Sequence, residues 1–371
     1  MIYLDHHAAT PMVAAAVRAM ADAGDRAWAN PSSVHGAGRA ARALLETARG
    51  QVAAALGAAP ANVVLTSGGT EACNLGVRGL LGLDGSSGRV LVSALEHPAV
   101  RATAESAGEV TVLPVCAADL DQAEAALANL APGDVLAVQW VNHETGVVLP
   151  VSAWAQRARE RGARVFVDAT QAFGKWPLQL ESSPFDAVAV TGQKVGAPAG
   201  TGALWIRRGH DLVPVLTGGA QERGRRAGTP SVLAQVGFGA ACEALADSSD
   251  WLARAGALRD RLERHAIALG GRVNGVPLPR VESVTQVAFP GQRSDLLVAA
   301  LDVEGVCASA GAACSSGLTE PVRSLLSLHP DEPWRAVASV RFSLGPGTTV
   351  DDIEGACVAL GQVVARASGA P

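Results

Sequence analysis

Only two of the 30 basic residues in this 371-residue chain are lysines, Lys175 and Lys194, so chemistry that needs an amine nucleophile has two candidates. Lys194 closes the polar cluster Thr191-Gly192-Gln193-Lys194, whereas Lys175 stands in Gly174-Lys175-Trp176-Pro177, which reads as a surface turn. A lysine in a glycine-flanked loop either forms a Schiff base with an aldehyde or is simply solvated. The scarcity of lysine favours the Schiff base at Lys194. Asp168 ends the apolar run Val165-Phe166-Val167, where a carboxylate is costly to bury unless a cation meets it. A protonated pyridine nitrogen would meet it, as in pyridoxal phosphate (PLP) enzymes, and a helix N-cap is the plainer reading. His97, before Pro98, is placed either to stack on a flat ring or to serve as a structural histidine.

Three further groups complete the set. Ser67-Gly68-Gly69-Thr70 lies between an apolar run and a helical stretch beginning near Glu71, so its backbone N–H groups can face an anion, or it is an ordinary glycine turn. It is neither a Walker motif nor a Gly-x-Gly-x-x-Gly fingerprint, which disfavours nucleotides. Arg341 interrupts the apolar run Ser339–Ser343 and needs an anion, either a substrate carboxylate or an acidic neighbour at a sheet edge. Cys314 sits among small residues, Ser309-Ala310-Gly311-Ala312-Ala313-Cys314-Ser315-Ser316-Gly317, and reads as a reactive thiol on an exposed loop. The other five cysteines lie among apolar residues and read as core fillers.

The elements that must position these groups follow from periodicity. Short apolar runs at Asn62–Thr66, Arg89–Ser93, Glu109–Leu113, Val135–Val141, Arg164–Val167, Ala187–Val190 and Ala203–Ile206 are spaced by helix-length stretches. They predict an α/β fold with a mostly parallel seven-stranded sheet. The polar clusters follow the runs, including Glu96-His97-Pro98, Asn142-His143-Glu144 and Asp168-Ala169-Thr170-Gln171, and ligands of open α/β sheets bind outside the strands' carboxyl ends. Five clusters on one sheet edge make a site. Residues 12–250 form the expected large domain. Residues 1–11 and 251–371 form a smaller α+β domain, with strands at Val281–Phe289 and Ser339–Ser343.

Composition excludes other classes. A net charge of −5 gives no reason to expect a nucleic-acid or membrane-surface partner. Apolar runs are too short to span a bilayer, and no basic stretch precedes an apolar segment at the start, which reads as a cytoplasmic protein. Without a Cys-x-x-Cys pair, no zinc site is expected.

In order and spacing, these clusters resemble the cysteine desulfurases of the nitrogen-fixation and iron–sulfur-cluster type, a branch of the class-V aminotransferases. The likeness runs from Tyr3-Leu4-Asp5 through Asn30-Pro31-Ser32-Ser33 and Gly218-Gly219-Ala220-Gln221-Glu222-Arg223-Gly224-Arg225-Arg226-Ala227-Gly228-Thr229 to Arg341-Phe342-Ser343-Leu344-Gly345. The resemblance implies a type I PLP fold, a homodimer, L-cysteine as substrate, L-alanine as product and a protein sulfur acceptor. It implies Lys194 as the Schiff-base lysine, Asp168 on the pyridine nitrogen, His97 on the ring and in proton transfer, and Gln171 on the phenolic oxygen. Gly69, Thr70, Thr191 and Gln193 match phosphate-binding positions, and Thr229 the one reaching the neighbouring subunit's phosphate. Arg341 matches the substrate-carboxylate arginine, and Asn142 lies in the segment beside cofactor and substrate. Cys314 matches the cysteine that becomes a persulfide, on a long loop that swings out to a partner.

Four departures stand out. Gln193 replaces a usual histidine, and His143 replaces an asparagine beside the cofactor. His6-His7-Ala8-Ala9-Thr10 replaces Asn-Asn-Ala-Thr-Thr, and Gly345-Pro346-Gly347-Thr348-Thr349 lacks an arginine. They motivate one alternative, a related PLP lyase acting on another sulfur or selenium amino acid.

Overall fold

The computed structural model describes residues 1–82, 88–117, 120–245, 250–311 and 321–367. The chain begins with strand β1 (Ile2–Tyr3) and helices α1 (Ala14–Ala23) and α2 (Gly36–Ala55). It then alternates β2 (Val63–Thr66), α3 (Gly69–Leu81), β3 (Val90–Ser93), α4 (Pro98–Ala107), β4 (Val110–Leu113), α5 (Asp121–Leu127), β5 (Val135–Gln139), α6 (Val151–Glu160) and β6 (Arg164–Asp168). Strands β7 (Ala187–Thr191) and β8 (Gly202–Ile206) follow, then helices α7 (Val232–Ala244) and α8 (Trp251–Ala268). The last part holds β9 (Arg272–Val273), β10 (Val284–Ala288), α9 (Ser294–Val303), β11 (Val306–Cys307), α10 (Arg323–Leu328), β12 (Ser339–Ser343) and α11 (Val350–Ala367).

Seven strands form one sheet in the order β2-β8-β7-β6-β5-β3-β4. Only β8 runs against the rest, pairing antiparallel with both β2 and β7. Except for the edge strand β4, these strands are buried along their whole length or nearly so, as helices on both faces require. Close packing between layers demands glycine at one point in particular: a Cβ at Gly76 of α3 would lie 2.4 Å from the Phe166 ring.

The expected strand runs agree with the observed ones to within a residue or two. At the chain start, β1 pairs in parallel with β11 and Asp5 bridges to Ser343. A three-stranded antiparallel sheet, β12-β10-β9, puts Arg341 opposite Gln286.

The Gly218–Thr229 segment is tied through Glu222 to α2 by a buried ion pair and to β2 by a hydrogen bond from a backbone N–H. Glu222 and Arg223 both adopt positive φ, 49° and 59°, a costly conformation for side chains of their kind. Glu222 accepts from Arg49 at 2.5 and 2.8 Å and from the Leu65 backbone N–H at 2.9 Å, which fixes the turn.

Candidate active site

Strands β2, β3, β5, β6 and β7 point their carboxyl ends to one edge, and each is followed by a loop carrying polar side chains. Between them lies a cavity of about 310 Å³. Its wall includes Gly69, Thr70, His97, His143, Asp168, Gln171, Thr191, Gln193, Lys194 and Arg341, ten residues expected at a site from sequence. Strand edge and cavity coincide.

At one end, β2 turns into α3 through Gly68, whose φ of 149° is rare for a residue with a side chain. Gly202 lies against that turn: a Cβ there would be 2.7 Å from the Gly68 carbonyl carbon. The helix starts at Gly69, two residues earlier than the composition near Glu71 indicated, and Gly68 supplies no side-chain cap. The N-terminal partial charge of a 13-residue helix therefore faces the cavity, with the Thr70 and Thr191 side chains alongside and Gly69 N–H donating to Thr191 Oγ1 at 3.2 Å.

The middle of the cavity carries the carboxylate and the rings. Asp168, the last residue of β6, is buried and accepts from the Thr170 N–H at 2.9 Å. His97 caps α4 by accepting at Nδ1 from Ala99 N–H at 3.0 Å, so its ring proton sits on Nε2. Its ring meets His143 edge-on, with centroids 5.0 Å apart. Burial holds the His97 and His143 imidazoles below their usual basicity; Lys194 lowers both further, against an opposing pull from Asp168 at His97. Lys194 donates through Nζ to the carbonyls of His7 and Ala8, both at 2.6 Å.

At the far end Arg341 is 2 % exposed. It donates to Asp5 Oδ1 at 2.7 Å and to the His143 carbonyl at 3.0 Å, while its Nε has no partner. The acidic neighbour expected of Arg341 is present in Asp5, and Arg341 also lines the cavity. His7 Nε2 is also buried without a partner, since its Nδ1 faces the His143 carbonyl at 3.2 Å and must carry the ring proton.

Two expected residues are not brought in. Asn142 is fully buried behind the wall: Oδ1 accepts from Glu144 N–H, Thr145 N–H and Thr145 Oγ1, and Nδ2 donates to Leu95. Its amide is spent on shaping the loop that presents His143, not on a substrate. Thr229 is exposed and does not line this chain's cavity. Cys314 lies outside the described residues.

Two readings of other residues need correction. Lys175 is not a surface lysine but is half-buried, with Nζ on Gln171 Oε1 at 3.2 Å, because the turn after β6 folds back under the N-terminal loop. Of the five cysteines read as core, Cys73 and Cys242 are buried, whereas Cys116, Cys307 and Cys357 are half-buried at the ends and sides of elements that face solvent. Cys73 reaches the cavity wall, but burial pushes its thiol pKa well up, which leaves it protonated and a poor nucleophile. Sequence reasoning passed over Gln139 in the wall, since a glutamine at a strand end carries no spacing signal of its own, and took His7 only as a departure in the N-terminal loop.

Glu96, at the end of the β3 loop, is a buried carboxyl that accepts from the Ser93 hydroxyl and the Gln139 N–H, with Oε2 unpartnered. Burial pushes its pKa up to about 8. The unfolded chain loses this proton near 4.5 and the folded protein only near 8, so stability falls as pH rises through that window. Glu96→Gln keeps the acceptor oxygen and removes the charge. Its urea midpoint should exceed that of the parent by more at pH 8 than at pH 5; a gap independent of pH would refute this assignment.

A mostly parallel seven-stranded α/β sheet with its polar residues gathered at the carboxyl edge, one strand reversed, and a small sheet packed beside it is the type I fold of PLP enzymes. The chain belongs to the class-V aminotransferase family, which it matches over residues 2–355. It is 38% identical over 363 residues to a cysteine desulfurase of Cereibacter sphaeroides, covering 95% of this chain and 93% of that one. A solved NifS-like protein from Rickettsia africae superposes with a TM-score of 0.87 at 28% identity, covering 98% and 99% of the two chains. The structure of SspA in complex with cysteine superposes with a TM-score of 0.78 at 27% identity, covering 94% and 100%.

Proposed function

We propose that the protein is a PLP-dependent cysteine desulfurase that converts L-cysteine to L-alanine and passes the sulfur, as a persulfide on Cys314, to a protein acceptor. The observation that carries this reading is the convergence of Lys194, Asp168, His97 and the open α3 N-terminus on one cavity. The cysteine desulfurases among its relatives favour cysteine over another sulfur or selenium amino acid.

The residues present fit the cofactor. The helix N-terminus with Gly69, Thr70, Thr191 and Gln193 would hold its phosphate, and a Cβ at Gly68 would meet nothing within 4 Å, so there is space for the anion. Asp168 supplies the buried anion that a pyridinium needs, and Arg341 in the cavity wall would take a carboxylate. When bound, PLP supplies an electron sink for the carbanion formed at the substrate's Cα.

The chain's own groups do the rest. Lys194 Nζ would anchor the aldehyde and serve as the base toward the substrate's Cα. Asp168 would pair with the ring nitrogen. His97 would lie against the ring with its Nε2 proton available, and His143 borders the same cavity. Gln171 would contact the phenolic oxygen. Arg341 would take the substrate carboxylate, and the Cys314 thiolate would attack the substrate sulfur. Thr229, exposed on the Gly218–Thr229 segment, reaches a second subunit's phosphate in a homodimer. In this reading the large unit spans 12–250, residues 1–11 and 251–371 form the smaller one, and the protein works in the cytoplasm.

The test is alanine formation from L-cysteine by PLP-loaded protein, with Cys314→Ala run alongside. Alanine from the parent and none from Cys314→Ala is the expected result. No alanine from a parent that binds PLP, together with turnover of selenocysteine or a larger thioether, would overturn cysteine as the substrate.

A further inference from the structure

Lys175 does not line the main cavity, yet one amide connects it to that cavity. The chain turns sharply after β6, with Ala172 N–H and Phe173 N–H both returning to the Ala169 carbonyl, and this brings the side chains of Gln171 and Lys175 together. Lys175 Nζ donates to Gln171 Oε1 at 3.2 Å, and Gln171 Nε2 donates to the His7 carbonyl at 2.9 Å. Lys194 Nζ donates to that same carbonyl at 2.6 Å. The chain's two lysines are therefore joined through one side-chain amide and one peptide oxygen.

Those neighbours leave the amide a single orientation. A peptide carbonyl only accepts, so it takes Nε2; the lysine supplies hydrogens, so it takes Oε1. The His7 bond uses one of the two Nε2 hydrogens and leaves the other for the cavity, whose wall Gln171 helps to form. Lys175 is no solvated bystander: it lines two separate cavities behind this wall, of about 140 and 480 Å³, beside Trp251 and Leu245. Burial, and then the nearby Lys194, draw its pKa down to about 7.

We propose that Lys175 is a positioning residue of the active site: it holds the Gln171 amide oxygen away from the cavity, so that Gln171 presents an N–H donor to the phenolic oxygen of the cofactor. This rests on the reading of Lys194 and Gln171 as cofactor contacts given above. Without Lys175 the buried Oε1 loses its donor and only the His7 carbonyl still holds the amide, which can then give up that bond and rotate Oε1 toward the cavity, placing an acceptor against an oxygen that carries negative charge.

A donor on the phenolic oxygen favours its deprotonated form, so the readout is the pH midpoint of the visible absorbance of PLP-loaded protein. Lys175→Met should raise that midpoint by about one pH unit, tenfold in the proton equilibrium. Lys175→Arg, which keeps a donor, should stay close to the parent. Gln171→Leu should give a similar shift, and adding Lys175→Met to it should add little, since both act through one contact. Circular dichroism and gel filtration establish that each variant folds. An unchanged midpoint in Lys175→Met, or full additivity in the double variant, overturns the inference while leaving the proposed function standing. Borohydride reduction and peptide mass analysis of the parent separate the two: absence of a pyridoxyl group on the Lys194 peptide would overturn the proposed function and this inference with it.

Discussion

Lys194→Ala should lose alanine formation from L-cysteine by roughly 10⁴-fold or more, because the proposed mechanism asks one side chain to serve both as nucleophile to the aldehyde and as base to the substrate. No other amine can take its place. Lys175 is the only other lysine, and its Nζ is engaged by Gln171 behind the wall. The amine of Lys194 is held between the His7 and Ala8 carbonyls, at the mouth of the N-terminal loop and within the cavity wall. Truncation therefore removes the reacting atom without creating a void in the main core. The folded protein should keep its urea midpoint within error. PLP would still enter the phosphate cradle but would dialyse away. Alanine measured at more than a tenth of the parent rate would show that Lys194 is not the anchoring residue.

Asp168→Asn is the second large effect. The amide is close to isosteric, and its oxygen can keep the 2.9 Å bond from Thr170 N–H, so geometry is preserved while the charge is lost. In the proposed mechanism a neutral amide would not keep a proton on the ring nitrogen, and the cofactor would be a weaker electron sink. The expected fall in kcat is roughly 10²- to 10³-fold, the range seen when one preorganised charge-stabilising group is removed. A second readout separates charge from shape. Ligand binding stabilises the folded state according to concentration over Kd, so the rise in melting temperature on adding PLP should shrink in the variant. Without cofactor, the variant should melt close to the parent, since the near-isosteric amide keeps the Thr170 bond. A variant that melts earlier without cofactor but turns over normally would give Asp168 a purely structural role.

Much of this was legible along the chain because the relevant signals are local. Apolar runs of strand length, separated by helix-length stretches, read as a parallel sheet buried on both faces, and the observed strands lie within a residue or two of them. In such a sheet every carboxyl end points to one edge, so a polar cluster after each run falls at the site wherever its strand lies. That is why ten of the expected residues line a single cavity. Arg341 was equally readable, since a charge inside an apolar strand must find an anion, and it found Asp5.

What local pattern does not encode is which distant segments meet. The strand order, with β8 reversed between β2 and β7, is set by pairing between residues far apart in the chain. The same holds for side chains whose roles depend on a neighbour. Asn142 looked like a ligand contact but spends its amide on Leu95 and on the turn at Thr145. Lys175 looked like a surface residue until the N-terminal loop covered it, and His7 and Lys194 meet across 187 positions of sequence. Periodicity and residue type determine which groups stand at the sheet edge. Only the folded chain decides which of them hydrogen-bond to one another, because a buried donor or acceptor takes whatever partner long-range packing brings within reach.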